Sequence, residues 1–134
     1  MNALNKHIIK SMQTRFKYGE NDCVLFIGRY FEKMGAPIFK TIEKTIHINR
    51  SNWPKSRQEL EKVSNSFGYK NVGQMHKEII KKIGFKCSTN AKDGDLILED
   101  NTFQLGLGWQ GGCAFLMDNG IVVDTKNFAN RWSF

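Results

Sequence analysis

A helix with apolar residues on several sides and a cysteine in its first turn is the feature that most constrains this chain. The apolar run begins after a turn at Gly19 and ends at Gly35. This order predicts a buried helix over 22–34, with Asn21 or Asp22 as its N-cap and Gly35 just past its end. Because the apolar residues extend beyond one stripe, we expect other elements to cover this helix on several sides.

Cys23 lies in the first turn of the predicted helix. Unpaired backbone N–H groups and the helix dipole favour an anion at that position, so we expect its thiol to ionise more readily than a free thiol. This is the geometry that a cysteine nucleophile requires. The alternative is that Cys23 is a small buried apolar residue at a helix start. A nucleophile alone does not make an enzyme, so both interpretations remain open here.

The length and composition predict a single domain over 1–134. Hydrophobic residues make up 40% of the 134 residues, and a chain of this length buries roughly two thirds of its unfolded surface. No apolar run reaches the ~18 residues of a membrane span, so we expect none. The three cysteines, Cys23, Cys87 and Cys113, are not closely spaced, which argues against a zinc site and a disulfide framework. We therefore expect no metal and no cofactor.

The chain is basic, with a formal net charge of +7 and a majority of lysines among its positive residues. A basic surface suits an anionic partner such as nucleic acid, a cell-envelope polymer or an acidic protein. AT-rich coding would give the same composition without such a partner. The predicted helices over 54–86 have a basic outward face that includes Arg57. On it, Lys77, Lys81 and Lys82 form a candidate docking patch for an anion, and a solvated face is the alternative.

Helical periodicity fills the first part of the chain and strand patterns fill the last part. Helices are predicted over 2–15 and 22–34, from a capping box at Ser56 to a stop at Gly68, and from Val72 to a stop at Gly84. The stretch 36–53 is predicted to be irregular, with a short helix over 41–46 as an option. Strands are predicted over 96–98 and 103–109, in a hairpin of 113–118 and 121–124 joined by Asn119–Gly120, and at 131–134. This order predicts an α+β fold.

Several short motifs occur in an order that resembles a known family. They are Tyr18-Gly19, Asp22-Cys23, Gly94-Asp95-Leu96-Ile97-Leu98, Leu105-Gly106-Leu107 and Arg131-Trp132. The chain resembles the NlpC-type papain-like cysteine peptidase superfamily, and is most similar to a small phage-encoded branch with a Gly-x-x-Asp-Cys motif. The resemblance implies a single NlpC-like domain, with N-terminal helices packed on a small C-terminal antiparallel sheet.

The resemblance also implies a chemistry. In such peptidases a histidine on the second core strand acts as general base, and a third polar group orients it. The thiolate attacks a carbonyl, and the imidazolium then protonates the leaving amine. Working members cleave peptide or amide bonds in bacterial cell walls. Cys23, Gln104 and Asp22 occupy the matching positions of a degenerate catalytic group in this chain.

Gln104 stands where the family has its histidine. A glutamine can hold a hydrogen bond to Cys23, but it cannot take up and return a proton near neutral pH. The histidines are His7, His47 and His76, and all lie outside the predicted sheet. We therefore expect the glutamine, and no imidazole, to face the sulfur.

Aromatic residues of the predicted sheet offer a second kind of binding site. Phe103, Trp109 and Phe115 are candidates for stacking on bases, as in proteins that bind single strands. The sheet carries few positive charges, however, so core packing is the interpretation that we favour. Trp109 stays with Lys77, Lys81 and Lys82 in the candidate binding set.

Three hypotheses about function follow. The leading one is a phage virion or tail-associated protein that keeps the hydrolase scaffold without its histidine and serves in binding or assembly. It would be made in the host cytoplasm and contact other virion proteins. The second is an active cysteine amidase or endopeptidase acting on cell-wall peptides, with Cys23 as nucleophile. The third is a nucleic-acid or host-protein binder that uses the lysine-rich helices. The sequence gives no oligomeric state.

Overall fold

The computed structural model describes residues 2–88, 92–118, 120–125, 128 and 130–134. Within these residues five helices precede the strands, and the strands form one antiparallel sheet, which confirms the α+β prediction. The helices are α1 (Ala3–Ser11), α2 (Cys23–Lys33), α3 (Ile38–Ile46), α4 (Arg57–Ser66) and α5 (Val72–Ile83). No helix in the described part of the chain is long and apolar enough to cross a membrane.

The described sheet has six strands. They are β1 (Lys86–Cys87), β2 (Leu96–Leu98), β3 (Leu105–Trp109), β4 (Gly112–Met117), β5 (Gly120–Asp124) and β6 (Arg131–Ser133). Their order across the sheet is β1-β6-β2-β3-β4-β5, and each neighbouring pair is antiparallel. The last strand of the chain is thus inserted between the first two, and β1 and β5 are the edges.

Helix α3 is the main difference from the predicted elements. It begins at Ile38, directly after Pro37, whereas the sequence predicted an irregular stretch with a short helix over 41–46. The buried residues Ile38, Ile42 and Ile46 are spaced by four, so they form one apolar stripe. Burial of this stripe against the core extends the helix to the proline, which is well tolerated at a helix start.

The two faces of the sheet are covered differently. Helix α2 packs against β3 and β4 on one face. Side chains alternate along a strand, so Leu105, Leu107 and Trp109 point into the main core beneath the helices. Gly106 lies on the other face, where an added Cβ would come within 2.7 Å of the Cys113 sulfur. A second, smaller apolar cluster lies on this face and consists of Ile97, Cys113, Phe115 and Phe128, with Met117 packed against them. The glycine lets this cluster approach the strand closely.

The predicted hairpin is confirmed by the pairing of β4 with β5. Its register joins Met117 to Gly120 and Phe115 to Val122. Asn119, which the sequence placed in the turn, lies outside the described residues. The hairpin places β5 at one edge of the sheet, beside β4.

A buried ion pair joins β6 to the start of β2. The Arg131 Nη2 and Nε atoms lie 3.1 and 3.2 Å from the same carboxylate oxygen of Asp95. That oxygen also accepts hydrogen bonds from the Ser88 hydroxyl and the Lys92 backbone N–H, each at 3.1 Å. Asp95 is 2% exposed and Arg131 is 6% exposed. Two of the motifs that suggested the family therefore meet in one structural contact.

Replacing Arg131 with methionine is expected to destabilise the fold strongly. The substitution leaves the Asp95 carboxylate buried without its cation, which costs about 3–5 kcal/mol of unfolding free energy. Urea denaturation of the wild type and the variant measures the difference. Arg15→Met, at an exposed arginine, is the control and is expected to change stability by less than about 0.5 kcal/mol. Similar losses for both variants would contradict the structural role of the ion pair.

Candidate functional site

Cys23 lies in the first turn of α2, as the sequence predicted, and Asp22, one of the two predicted candidates, is the N-cap. The Asp22 carboxylate accepts the Leu25 backbone N–H at 2.9 Å through one oxygen. Its other oxygen accepts the Gly19 N–H at 3.0 Å and the Trp53 indole N–H at 2.8 Å. Asp22 is 2% exposed. It therefore ties the preceding turn and the segment of Trp53 to the helix start, and its role here is structural.

Cys23 borders a small apolar cavity between the helices α2, α3, α4 and α5 and the sheet. The cavity volume is about 50 Å³, which is room for no more than a few water molecules. Most of its wall consists of aliphatic side chains from α2, α3, α4, α5, the strands and Ile48. The residues of the wall that carry polar side-chain atoms are Tyr18, Asp22, Cys23, Trp53 and His76.

The thiol of Cys23 does not ionise readily, contrary to the prediction. The side chain keeps partial exposure, but protein atoms crowd around it, and this burial raises the pKa of Cys23 to about 11. Hydrogen bonds from the backbone N–H groups of Leu105 and Val24 act in the opposite direction, and the Asp22 charge adds to the increase. Loss of water around the sulfur outweighs the favourable helix start.

Gln104 does not face the sulfur, so that prediction is wrong. Its side-chain amide nitrogen lies 3.0 Å from the Met117 sulfur, to which it donates a hydrogen bond. The cause is strand alternation: Leu105 lines the cavity with Cys23, so the side chain before it points to the opposite face of the sheet. Gln104 therefore belongs with the second apolar cluster, on the far side of the sheet from the thiol.

His76 of α5 lines the same cavity as Cys23, which we did not expect from the sequence. The ring is 5% exposed, and its Nε2 atom has no hydrogen-bond partner among the described residues. Burial, together with a smaller effect of the Arg57 charge, lowers the pKa of His76 to about 4. The imidazole is therefore neutral at pH 7. His76 and Cys23 therefore line the same cavity, and the His76 Nε2 atom does not form a hydrogen bond to the Cys23 sulfur.

The other two histidines lie away from the cavity. His7 is buried between α1 and α2, where its Nε2 lies 2.7 Å from the Phe26 carbonyl oxygen. Burial lowers the pKa of His7 as well. His47 is exposed at the end of α3, with its ring 5.5 Å from that of Phe67. Neither is placed to exchange a proton with Cys23.

Arg57 is a residue whose position the sequence did not reveal. It was expected on an outward basic face, but its Nη1 donates to the Thr102 carbonyl at 2.9 Å. Its guanidinium carbon lies 5.9 Å from the Phe103 ring centroid, within the range of a cation–π contact. The guanidinium also hydrogen-bonds the Tyr18 side chain, whose pKa burial raises. Arg57 thus joins the start of α4 to the loop before β3, beside the cavity.

The proposed binding residues separate into two groups. Lys77, Lys81 and Lys82 are exposed on α5. His76 and Ile79 on the same helix line the cavity, so these lysines do not take part in it. Trp109 is 8% exposed and donates its indole N–H to the Asn5 side chain at 2.8 Å. It therefore anchors α1 to the sheet and offers little exposed surface to a partner.

Comparisons with known proteins give no match. No family model, no curated protein and no solved structure matches this chain. Among the described residues, no three His, Cys, Asp or Glu side chains form a group that could hold a metal ion. Inference about function therefore depends on the geometry of the cavity and on the motif residues.

The buried His76 is expected to make the protein less stable in acid. Its pKa is about 4 in the folded state and about 6.5 in the unfolded state. The unfolded chain therefore binds more protons between these values. The contribution of the neutral His76 ring to the unfolding free energy is fully present above pH 6.5 and is lost as the pH falls to 4. The difference corresponds to about 3 kcal/mol. Unfolding free energies from urea titrations at pH 7 and pH 4.5 measure it.

The variant His76→Met is expected to remove most of this pH dependence, because methionine does not titrate. Met75→Leu, at a buried neighbour on the same helix, is the matched control and should retain the pH dependence of the wild type. Other acidic groups contribute equally to all three proteins, so the comparison isolates His76. An unchanged pH dependence in His76→Met would show that the ring is protonated freely in the folded state.

The three thiols are expected to differ in alkylation rate. Cys87 is exposed and should react first with iodoacetamide at pH 7, Cys23 more slowly, and the buried Cys113 only on unfolding. Because the thiolate is the nucleophile, the rate at Cys23 should rise about tenfold per pH unit up to its pKa near 11. Peptide mapping of Cys87→Ser isolates the reaction at Cys23. Rapid labelling of Cys23 at pH 6 would contradict a buried, protonated thiol.

Proposed function

We propose that this chain is a phage virion or tail-associated protein that serves in binding or assembly on a papain-like, NlpC-like scaffold without a working catalytic pair. The phage and virion placement comes from the family resemblance. The observation that supports the loss of catalysis is the direction of Gln104, whose amide contacts Met117 and not Cys23. The position that holds the base in the family thus supplies no group to the thiol.

The protonation states at the cavity also support this proposal. A cysteine hydrolase uses a thiolate and an imidazolium, formed by proton transfer between the two side chains. Here burial raises the pKa of Cys23 to about 11 and lowers the pKa of His76 to about 4. Both groups are therefore neutral at pH 7, and forming the ion pair would place two charges between mostly apolar side chains.

The small size of the cavity also supports a protein without catalytic activity. Its volume of about 50 Å³ accommodates a few water molecules, whereas a peptide substrate requires an open groove. Partners would therefore be bound at the outer surface. The exposed Lys77, Lys81 and Lys82 favour an acidic partner, such as a negatively charged region of another virion protein.

The proposal is tested with particles of the virus that encodes the chain. Mass spectrometry of purified particles should find the protein in fixed proportion to the other structural proteins. Particles that carry Cys23→Ser should remain infectious, because the thiol has no chemical role. Absence of the protein from purified particles would overturn the virion assignment. Loss of infectivity in Cys23→Ser, with the protein folded and incorporated, would overturn the loss of catalysis.

A second candidate function is an active cysteine amidase or endopeptidase, with Cys23 as nucleophile and His76 as base. The observation that favours it is the presence of both side chains in one cavity, where the His76 Nε2 has no hydrogen-bond partner in the described part of the chain. Isolated cell-wall sacculi incubated with the protein provide the assay. Release of peptides that is lost in both Cys23→Ala and His76→Gln would establish this function. The proposed binding role predicts no release from the wild type.

A further inference from the structure

Exposed apolar side chains are concentrated where α1 meets β5. Ile9 and Met12 are 41% and 45% exposed, and Val122 and Val123 are 48% and 41% exposed. Helix α1 packs against β5, and an added Cβ at Gly120 would lie 3.3 Å from the Met12 carbonyl oxygen. Met12 and β5 therefore form one apolar margin at the edge of the sheet, with Val122 and Val123 on its opposite faces. Exposed apolar groups that cluster in this way mark an interaction surface.

Strand β5 is the outer strand of this margin. It pairs with β4 on one side, and no other described strand pairs with it on the other side. Edge strands in natural proteins are commonly protected by lysine, proline or a bulge. The strand Gly120–Asp124 reads Gly-Ile-Val-Val-Asp and contains neither lysine nor proline. Its register with β4 is continuous over five residue pairs, without a bulge.

The register of the hairpin shows which backbone groups of β5 point outward. Two residues, 118 and 119, separate Met117 from Gly120, and such short connections are closed by a hydrogen-bonded pair. Hydrogen-bonded and non-bonded pairs alternate along an antiparallel ladder. Gly120 and Val122 therefore direct their N–H and C=O groups toward β4. Those of Ile121 and Val123 are directed away from it.

We propose that β5 pairs in antiparallel orientation with β5 of a second copy of this chain, so that the two sheets become continuous. A two-fold axis at Val122 places Ile121 of each copy opposite Val123 of the other. These are the two residues whose backbone groups point outward, so the hydrogen-bonding pattern of the strand is complementary to itself. The same register places Asp124 opposite Gly120, and no like charges face each other across the strands.

Side-chain faces agree with this pairing. Ile121 and Val123 are paired with Leu116 and Ala114 of β4, which belong to the core beneath the helices. In the proposed dimer the partner's Val123 would extend that apolar face toward the end of α1. Cross-strand pairs of β-branched residues stabilise a sheet. The second copy would thus cover part of the exposed margin that includes Met12.

A second copy of the strand suits this edge better than an unrelated peptide. In the antiparallel pairing, the outward backbone groups face each other, the apolar side chains lie on the same face, and no two carboxylates are opposite each other. The net charge of +7 on each copy opposes association. Because salt screens this repulsion, dimerisation is expected to strengthen as the ionic strength rises. This inference does not depend on the proposed function, since it uses no residue of the cavity.

Sedimentation velocity of the wild type over micromolar to hundreds of micromolar concentration tests the proposal. A reversible monomer–dimer equilibrium that shifts toward dimer with added salt is expected. Val123→Pro removes an outward N–H group but no hydrogen bond to β4, and proline is tolerated on an edge strand in this orientation. The variant is expected to be monomeric at every concentration. Met34→Ser, at an exposed apolar residue outside the margin, is the control and should dimerise like the wild type.

Hydrogen exchange keeps the test decisive if Val123→Pro does not fold. In the wild type, the amides of Ile121 and Val123 should become more protected as the concentration rises, because each would donate to the second copy. A wild type that stays monomeric at all concentrations and salt levels would overturn the proposal and leave the edge for a peptide of another protein. Dimers whose Ile121 and Val123 amides gain no protection would also overturn it.

Discussion

Three hydrogen bonds converge on the Asp22 carboxylate, and the position of Cys23 depends on them. The carboxylate caps α2, closes the turn that begins at Gly19 and holds the Trp53 indole. Each of these donors would otherwise lie unpaired beside the core, at a cost of about 1–3 kcal/mol per group. The Gly-x-x-Asp-Cys motif therefore has a structural explanation that requires no catalysis. A scaffold that lost its chemistry would still need Gly19 and Asp22 to begin the helix.

Two opposing effects act on the Cys23 thiol, and their magnitudes decide its state. A helix start stabilises an anion by about 0.3–1 kcal/mol, and up to about 2 kcal/mol in favourable sites. The increase of the thiol pKa from 9 to about 11 means that the protein destabilises the thiolate by about 3 kcal/mol relative to an ordinary cysteine in water. Desolvation thus exceeds everything that the helix and the two backbone N–H groups contribute. The same helix geometry can serve a nucleophile only where water or a cation reaches the sulfur.

Local signals in the sequence predicted most of the fold. The N-cap before α2, the capping residue Ser56, the stop at Gly84 and the β4–β5 hairpin all depend on residues close together in the chain. Helix α3 begins at Ile38, earlier than the predicted short helix over 41–46, because Ile38 is buried in one stripe with Ile42 and Ile46. The stripe packs against α2 and α5, and these contacts between elements stabilise the first turn beside Pro37.

The candidate site was predicted less well, because it depends on which side of an element a residue faces. Gln104 was assigned by its match to a family motif, although alternation with Leu105 places the two on opposite faces of the sheet. His76 could have been placed from the sequence, since Ile80 and Ile83 follow it at helical spacing and indicate a buried face. Arg57 could not, because its contacts with Thr102 and Tyr18 join segments that are distant in the chain.

Because the cavity is small and the Cys23 and His76 side chains are neutral at pH 7, binding of a partner would depend on the outer surface of the protein. Two surface features lie on different elements, the lysines of α5 and the edge strand β5. The proposed role in assembly would require contact with more than one neighbour, and these features suit different kinds of contact. Strand pairing is directional and fixes the orientation of two copies, whereas lysines attract an acidic surface over a longer range with little geometric demand. A β5 dimer would therefore present two identical basic patches in a fixed relation to each other. Such an arrangement binds a repeated acidic partner more strongly than one patch alone.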